Sequence, residues 1–138
     1  MKALDVYPLI TTAKLAETRD FYVRHFGATV LFEARWVVVL SLAGERGGFT
    51  LAFMTPDHPT RPPGPEAFDG KGMILTVQVA DAAAAQAALR GAGAPIDYPL
   101  AVEAWGQRRF MTRDPAGVLI DVVEQIAPAE GYWERYAA

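Results

Sequence analysis

One order of predicted elements occurs twice along the chain, and this repeat restricts the fold more than any other feature. Strand-like runs rich in Val, Leu, Phe and Thr surround two helix-like segments, so each half reads β-α-β-β-β. Two glycine-led segments, GATV at 27–30 and GAPI at 93–96, align at an offset of 93 − 27 = 66 residues, which also pairs Tyr7 with Met73. The repeat predicts an α+β fold of two tandem β-α-β-β-β modules whose curved mixed sheets enclose a cavity.

The predicted elements follow from apolar spacing and from turn residues. Apolar side chains recur at three- and four-residue intervals from Leu15 to Phe26, which indicates an amphipathic helix, and Gly27 suits its left-handed C-terminal cap. A second, alanine-rich helix is predicted from Ala82 to Arg90, with Asp81 as its N-cap. The predicted strands span 4–10, 28–34, 36–42, 49–54, 73–79, 96–102, 108–112 and 118–124.

We expect a single domain, 1–138, with module one at about 1–55, a linker at about 56–71, module two at about 72–126 and a C-terminal tail at 127–138. The segment Thr55–Gly70 holds five prolines, which remove ladder donors, so it is predicted to be a loop. It acts either as a lid over the cavity or as a passive linker, and its His58 is expected to be solvated. The aromatic tail is predicted to form a short docked helix.

Composition excludes several classes of function. The net charge of −3 and the pI near 5.3 leave no basic stripe for nucleic acid. The absence of cysteine excludes disulfides and thiolate metal sites. No apolar run approaches the roughly 20 residues that span a bilayer, and the N-terminus lacks a signal-peptide core, so we expect a cytoplasmic protein with no membrane partner.

The closing hairpin carries the most specific motifs. WGxxxF at 105–110 and DPxG at 114–117 precede the apolar run 118–124, which reads as strand, tight turn, strand. Together with DFY at 20–22 and FG at 26–27, these motifs resemble the vicinal oxygen chelate superfamily of glyoxalases, extradiol dioxygenases and bleomycin-resistance proteins. The resemblance covers about residues 6–125 and is closest to the metal-free bleomycin-resistance-like members.

The resemblance also implies where a metal would be bound. Metal-dependent members take ligands from the first, fifth and eighth strands and sometimes the fourth, and the first three positions here are Tyr7, Met73 and Asp121. The fourth-strand position, around Leu51–Thr55, offers neither carboxylate nor imidazole. Transition-metal sites need several converging N or O donors, so we expect no metal and no cofactor.

Five residues are candidates for binding a ligand: Tyr7, Trp36, Met73, Arg109 and Asp121. Tyr7 and Asp121 would hydrogen-bond the ligand while Met73 contacts its apolar part. The alternative, left open, is a filled core in which Asp121 bonds to Tyr7 or to Arg109.

Two tryptophans and three arginines admit two interpretations each. Trp36 is predicted to begin a strand and to line the cavity mouth, whereas ordinary packing is favoured for Trp105. Of the three arginines at 108, 109 and 113, one is expected to reach inward and hold an anionic ligand or Asp121, with the others solvated. Asp114 is assigned to the turn.

Three functions compete. The favoured one is a metal-free protein that binds or sequesters a small, partly aromatic molecule. The second is a lyase or dioxygenase of the glyoxalase superfamily with a non-standard site, in which Tyr7 and Asp121 act as acid and base. The third is a structural or regulatory module acting through a dimer interface, since family members commonly form homodimers.

Overall fold

The computed structural model describes residues 1–137, which form two α-helices and two four-stranded sheets, an α+β architecture. The helices are α1, Leu15–Phe26, and α2, Ala82–Gly91. The strands are β1 Leu9–Thr11, β2 Thr29–Ala34, β3 Val37–Gly44, β4 Gly47–Met54, β5 Ile74–Gln78, β6 Tyr98–Glu103, β7 Gln107–Arg113 and β8 Leu119–Gln125. No helix in this part of the chain is long and apolar enough to cross a membrane.

The chain divides into two compact units. The first contains Met1–Lys71 and the turn Asp114–Gly117, and the second contains Gly72–Arg113 and the residues from Val118 onward. Each unit holds one helix and one sheet, in the strand orders β1-β4-β3-β2 and β5-β8-β7-β6. The prediction of two tandem β-α-β-β-β modules is therefore confirmed.

Each sheet is mixed and has one face covered by the helix of its own unit. β1 pairs in parallel with β4, and β5 in parallel with β8, while the remaining neighbours are antiparallel. In the first unit the Tyr22 ring lies 5.5 Å from that of Phe53, which marks the helix face. In the second unit the N–H of Ala82, the first residue of α2, donates to the Glu124 carboxylate of β8 at 3.0 Å, so Glu124 lies on the face that α2 covers. We call the opposite face of each sheet the far face.

A buried polar pair anchors the first unit. Tyr22 is fully buried, and its hydroxyl donates to Asp114 Oδ2 at 2.6 Å. Burial and the Asp114 carboxylate raise the pKa of Tyr22, so the phenol remains a donor. The predicted DPxG turn is confirmed, because the Gly117 N–H donates to the Asp114 carbonyl and Gly117 has φ +92°. Asp114 therefore has a structural role in the first unit.

Two of the strand boundaries that differ from the prediction concern candidate residues. β1 begins at Leu9 rather than residue 4, so Tyr7 precedes the strand, since Pro8 has no N–H to donate to a ladder. Trp36 does not begin a strand either. The register pairs Ala34 with Val37, which leaves Trp36 in the two-residue turn between β2 and β3.

The expectation that His58 is solvated is wrong. His58 is 1% exposed, its Nε2 donates to the Gly64 carbonyl at 3.0 Å, and its Nδ1 bonds to the Thr60 hydroxyl at 2.8 Å. The Phe68 N–H donates to the Thr11 carbonyl, which joins the end of the same loop to β1. The proline-rich segment is thus a folded part of the first unit, organised around a buried imidazole.

The predicted tail helix is present as a short 3-10 helix, Trp133–Tyr136. The Trp133 indole N–H donates to the Trp105 carbonyl at 2.9 Å, which docks the helix on the second unit. Gly106 has φ +105°, and a Cβ there would lie 2.9 Å from the Ile126 carbonyl oxygen. The Trp-Gly motif therefore permits the close approach of the tail to the β6–β7 turn.

Candidate functional site

The offset between the two repeats is one residue larger before the helices than after them. The left-handed glycines Gly27 and Gly93 keep the offset of 66, but the helix starts are separated by 82 − 15 = 67 residues. Before the helices, Tyr7 therefore lines up with Ile74 rather than with Met73. Strand pairing gives the same correction, because Ile74 and Thr76 share the far face with Asp121 while half-buried Met73 precedes β5.

Matching rows of residues cross the far faces of the two sheets. The row in the second unit is Tyr98, Met111, Asp121 and Thr76. The corresponding row in the first unit is Phe32, Val39, Ala52 and Leu9. The position of the Asp121 carboxylate in the second unit is thus occupied by a methyl group in the first.

Asp121 is the central polar group of the second sheet. The residue is 6% exposed, and its Oδ2 lies 3.4 Å from Nη1 of Arg109. Its Oδ1 is buried and has no hydrogen-bond partner among residues 1–137. Burial raises the pKa of Asp121, and the Arg109 charge opposes this shift without cancelling it.

Arg109 is held by two carboxylates and two aromatic rings. Its Nε donates to Glu103 Oε1 at 3.0 Å, and its guanidinium carbon lies 4.9 Å from the Trp105 ring centroid and 5.5 Å from that of Tyr98. Burial lowers the pKa of Arg109, but the bond to Glu103 and the charge of Asp121 outweigh it and raise the pKa overall. We call these five residues, Arg109, Glu103, Asp121, Trp105 and Tyr98, the Arg109 cluster.

The outcome for the three arginines is mixed. The predicted contact of one inward-facing arginine with Asp121 is confirmed for Arg109. The other two are less solvated than expected, since Arg108 pairs with Glu124 at 3.1 Å and Arg113 pairs with Asp97 at 2.7 Å. Both guanidiniums remain more than one-third exposed, so these pairs contribute little to stability.

Sequence reasoning missed Glu103 and Tyr98. The signal for Glu103 was the short Ala104-Trp105-Gly106 turn, which pairs Glu103 with Gln107 and brings it diagonally beside Arg109. Tyr98 carried no comparable signal, because the β6 strand shifts register between Tyr98 and Ala101. Its hydroxyl donates to Glu103 Oε1 at 3.1 Å.

The other sequence candidates lie outside this cluster. Tyr7 is 48% exposed and precedes β1, and Trp36 is half-buried in the β2–β3 turn; both belong to the first unit. Met73 belongs to the second unit and lies outside β5. Of the five candidates, the structure shows Arg109 and Asp121 in contact.

The side chains at the family's metal-ligand positions do not fit a metal ion. Tyr7 offers a phenol, Ile74 a hydrocarbon and Asp121 a single carboxylate. The fixed positive charge of Arg109 beside Asp121 opposes a divalent cation there. Within residues 1–137, no three His, Asp or Glu side chains come together as a metal-binding group.

Comparisons with known proteins agree with this architecture. A glyoxalase/bleomycin resistance protein/dioxygenase from Nocardioides superposes with a TM-score of 0.73 at 17% identity, covering 91% of this chain and 85% of that one. TnmS3, an antibiotic binding protein from Streptomyces sp. CB03234, gives a TM-score of 0.65 at 22% identity, covering 90% and 97%. At these identities the likeness shows the fold alone.

A search of curated proteins returns no match to the chain. The family model of the Glyoxalase/Bleomycin resistance protein/Dioxygenase superfamily matches residues 6–122, which is most of the sequence. The chain therefore belongs to the Glyoxalase/Bleomycin resistance protein/Dioxygenase superfamily.

Proposed function

We propose that this protein is a metal-free binding protein that sequesters a small, partly aromatic molecule at the Arg109 cluster. The ligand is held by hydrogen bonds and by contact with the Trp105 and Tyr98 rings, and no bond is made or broken. Asp121 is the principal polar contact, and Arg109 positions its carboxylate. Tyr7, Trp36 and Met73 stay predictions from the sequence.

The buried Oδ1 of Asp121, which has no hydrogen-bond partner among residues 1–137, carries this proposal. A buried acceptor without a partner destabilises a fold by about 1–3 kcal/mol, and more when it is charged. A ligand that donates a hydrogen bond to Oδ1 would remove this cost on binding. TnmS3, which has the same fold, is described as an antibiotic binding protein, and this supports the proposal.

The Arg109 cluster is arranged for binding before any ligand arrives. Two carboxylates and two rings fix the guanidinium, so little side-chain freedom remains to be lost on association. In place of a metal ion, Arg109 provides the fixed positive charge beside Asp121. The donor set thus favours a metal-free site.

A second candidate function is a lyase or dioxygenase of this superfamily with a non-standard site. It is favoured by the raised pKa of Asp121, whose Oδ1 has no partner in the described part of the chain, since such a carboxyl group suits a general acid or base. Turnover of a bound compound, lost in Asp121→Asn while binding persists, would establish this enzyme and contradict a purely binding role.

A thermal-shift screen with aromatic and antibiotic compounds tests the binding proposal. A ligand that prefers the native state raises the Tm as its concentration rises. Asp121→Asn should weaken the response, whereas Asp97→Asn, an equal charge change at a partly exposed pair, should leave it intact. A flat response to every compound would contradict the binding function.

Elemental analysis tests the metal-free part separately. Protein purified without chelators should contain well under one equivalent of Zn, Ni, Fe or Mn. A stoichiometric metal, lost together with ligand binding upon dialysis against a chelator, would overturn the metal-free assignment.

We also propose that the protein is a homodimer. The edge strand β2 exposes three consecutive apolar side chains, Val30, Leu31 and Phe32, which favour association. Light scattering should give twice the mass of the 15.0 kDa chain, and a monomeric mass at all concentrations would contradict this assignment.

A further inference from the structure

We propose that the group by which the ligand is anchored at the Arg109 cluster is a cationic hydrogen-bond donor, an amine or an amidine, and not an anion. This inference rests on the proposed binding function and names the chemical class of its ligand. It assigns selectivity to Asp121 and Glu103 rather than to the arginine.

The charge balance of the cluster is the first argument. Two carboxylates, Glu103 and Asp121, share one guanidinium, so the cluster carries one excess negative charge. The Glu103 side chain is 15% exposed and that of Asp121 9% exposed, so solvent screens them weakly. A bound cation neutralises the excess, whereas a carboxylate or phosphate adds to it.

The geometry of Arg109 is the second argument. Its Nε is bonded to Glu103 and its Nη1 to Asp121, while two aromatic rings lie within 5.5 Å of the guanidinium carbon. An anion would have to compete with both carboxylates for this guanidinium. The arginine is thus engaged as a partner of Glu103 and Asp121, and an anionic ligand is disfavoured.

The free acceptor is the third argument. Asp121 Oδ1 is buried and unpartnered among the described residues, and a carboxylate oxygen accepts but does not donate while ionised. Bonds between N–H donors of a cation and a carboxylate are about twice as strong as neutral ones. The residue paired with Asp121 on β5 is exposed Thr76, so this row of the far face also includes a hydroxyl group.

Three probes of one shape test the charge class: benzamidine, benzamide and benzoate. Each has a phenyl ring with a planar three-atom group, and at neutral pH their charges are positive, zero and negative. Ligand-observed and amide-detected NMR at millimolar concentration measures their affinities. We expect benzamidine to bind about tenfold more tightly than benzoate, with benzamide between them.

Two variants assign the preference to the carboxylates. Asp121→Asn should reduce the ratio of benzamidine to benzoate affinity to near unity, and Glu103→Gln should reduce it in part. Glu103→Gln keeps the test valid if Asp121→Asn does not fold. Asp97→Asn changes the net charge equally outside the cluster and should preserve the ratio.

Each outcome is decisive. Equal or tighter binding of benzoate overturns the assignment of a cationic ligand but leaves the binding function intact. A benzamidine preference that persists in both carboxylate variants also overturns it, since the selectivity would then lie elsewhere. Failure of all three probes to bind contradicts this inference, whereas the proposed function fails only if the wider thermal-shift screen is flat as well.

Discussion

The two units of this protein share one arrangement of strands and helix, yet their buried polar groups lie in different places. In the first unit the polar pair Tyr22 and Asp114 lies on the helix side, and the far face carries Ala52. In the second unit the far face carries Asp121 and Arg109. At the position of Tyr22, shifted by the repeat offset of 67 residues, the second helix has apolar Leu89.

This difference shows that the repeated backbone does not determine which face of the sheet carries the buried polar side chains. The same pairing register places Ala52 beside Leu9 in one sheet and Asp121 beside Thr76 in the other. The two units share the arrangement of strands, but their side chains differ at matched positions. The candidate binding residues are therefore found in the second unit. Substitutions at those positions are the most informative way to test the comparison.

The largest effect is expected when a carboxylate is introduced into the first unit at the position that matches Asp121. Ala52 is 1% exposed, so Ala52→Asp buries a carboxyl group that has no arginine equivalent beside it, because Val37 occupies the position of Arg109. We expect a loss of about 5 kcal/mol in the free energy of unfolding, measured by chemical denaturation. Ala52→Val separates volume from charge and should cost about 1–3 kcal/mol. Equal losses in both variants would show that the added volume, and not the buried carboxyl group, destabilises the first unit.

Removal of the arginine from the second unit should have the next largest effect. Arg109→Ala leaves Glu103 and Asp121 buried without their shared cation, at a cost of about 3 kcal/mol. Arg108→Ala, in a more exposed pair on the helix face of the same strand, should cost below about 1 kcal/mol. If the two variants lose equal stability in denaturant titrations, Arg109 has no special role in the cluster.

The polar pair of the first unit should contribute an intermediate amount. Tyr22→Phe removes one hydrogen bond to the buried Asp114 carboxylate, and we expect about 2 kcal/mol of destabilisation by thermal or chemical unfolding. Tyr7→Phe is the matched control, since Tyr7 is half exposed, and should be neutral. An unchanged Tm in Tyr22→Phe would argue against a stabilising pair in this unit.

The smallest effect concerns pH. Burial raises the pKa of Asp121 in the folded state, so the folded protein binds more protons than the unfolded chain once the pH passes the unfolded value of about 3.9. The stability of the natural protein relative to Asp121→Asn should therefore fall as pH rises through this window. Denaturation at a series of pH values measures it, and a relative stability that rises over the same window would show a lowered pKa instead.

Much of the fold was predictable because it is encoded locally. The apolar spacing that ends at Gly27, the Asp81 cap and the DPxG turn each determine structure within a few residues, and all are confirmed. The boundary of β1 was not predictable from hydropathy, since Leu4 and Val6 are apolar but exposed. Burial of His58 depends on partners within a folded loop, which no periodicity reveals.

The site was predictable only in part. Alternation along β7 predicts that Arg109 and Met111 share one face, because side-chain direction in a strand follows from position alone. That this is also the face of Asp121 follows from the pairing of Met111 with Asp121 in the structure. The predicted pairing of Tyr7 with Met73 does not match the structure, because the offset of the repeat changes by one residue within the helices, and a one-residue slip moves a strand side chain to the other face. Glu103 and Tyr98 required the register across β6, including its irregularity.

The central claim is that ligand chemistry belongs to the far face of the second sheet, and amide chemical-shift mapping tests it most directly. The labelled protein is titrated with whichever compound raises the Tm most. The account predicts that the largest shifts fall on β7 and β8 around Arg109 and Asp121, and that they are lost in Asp121→Asn. Undiminished shifts in that variant, or shifts confined to β3 and β4 of the first unit, would contradict it.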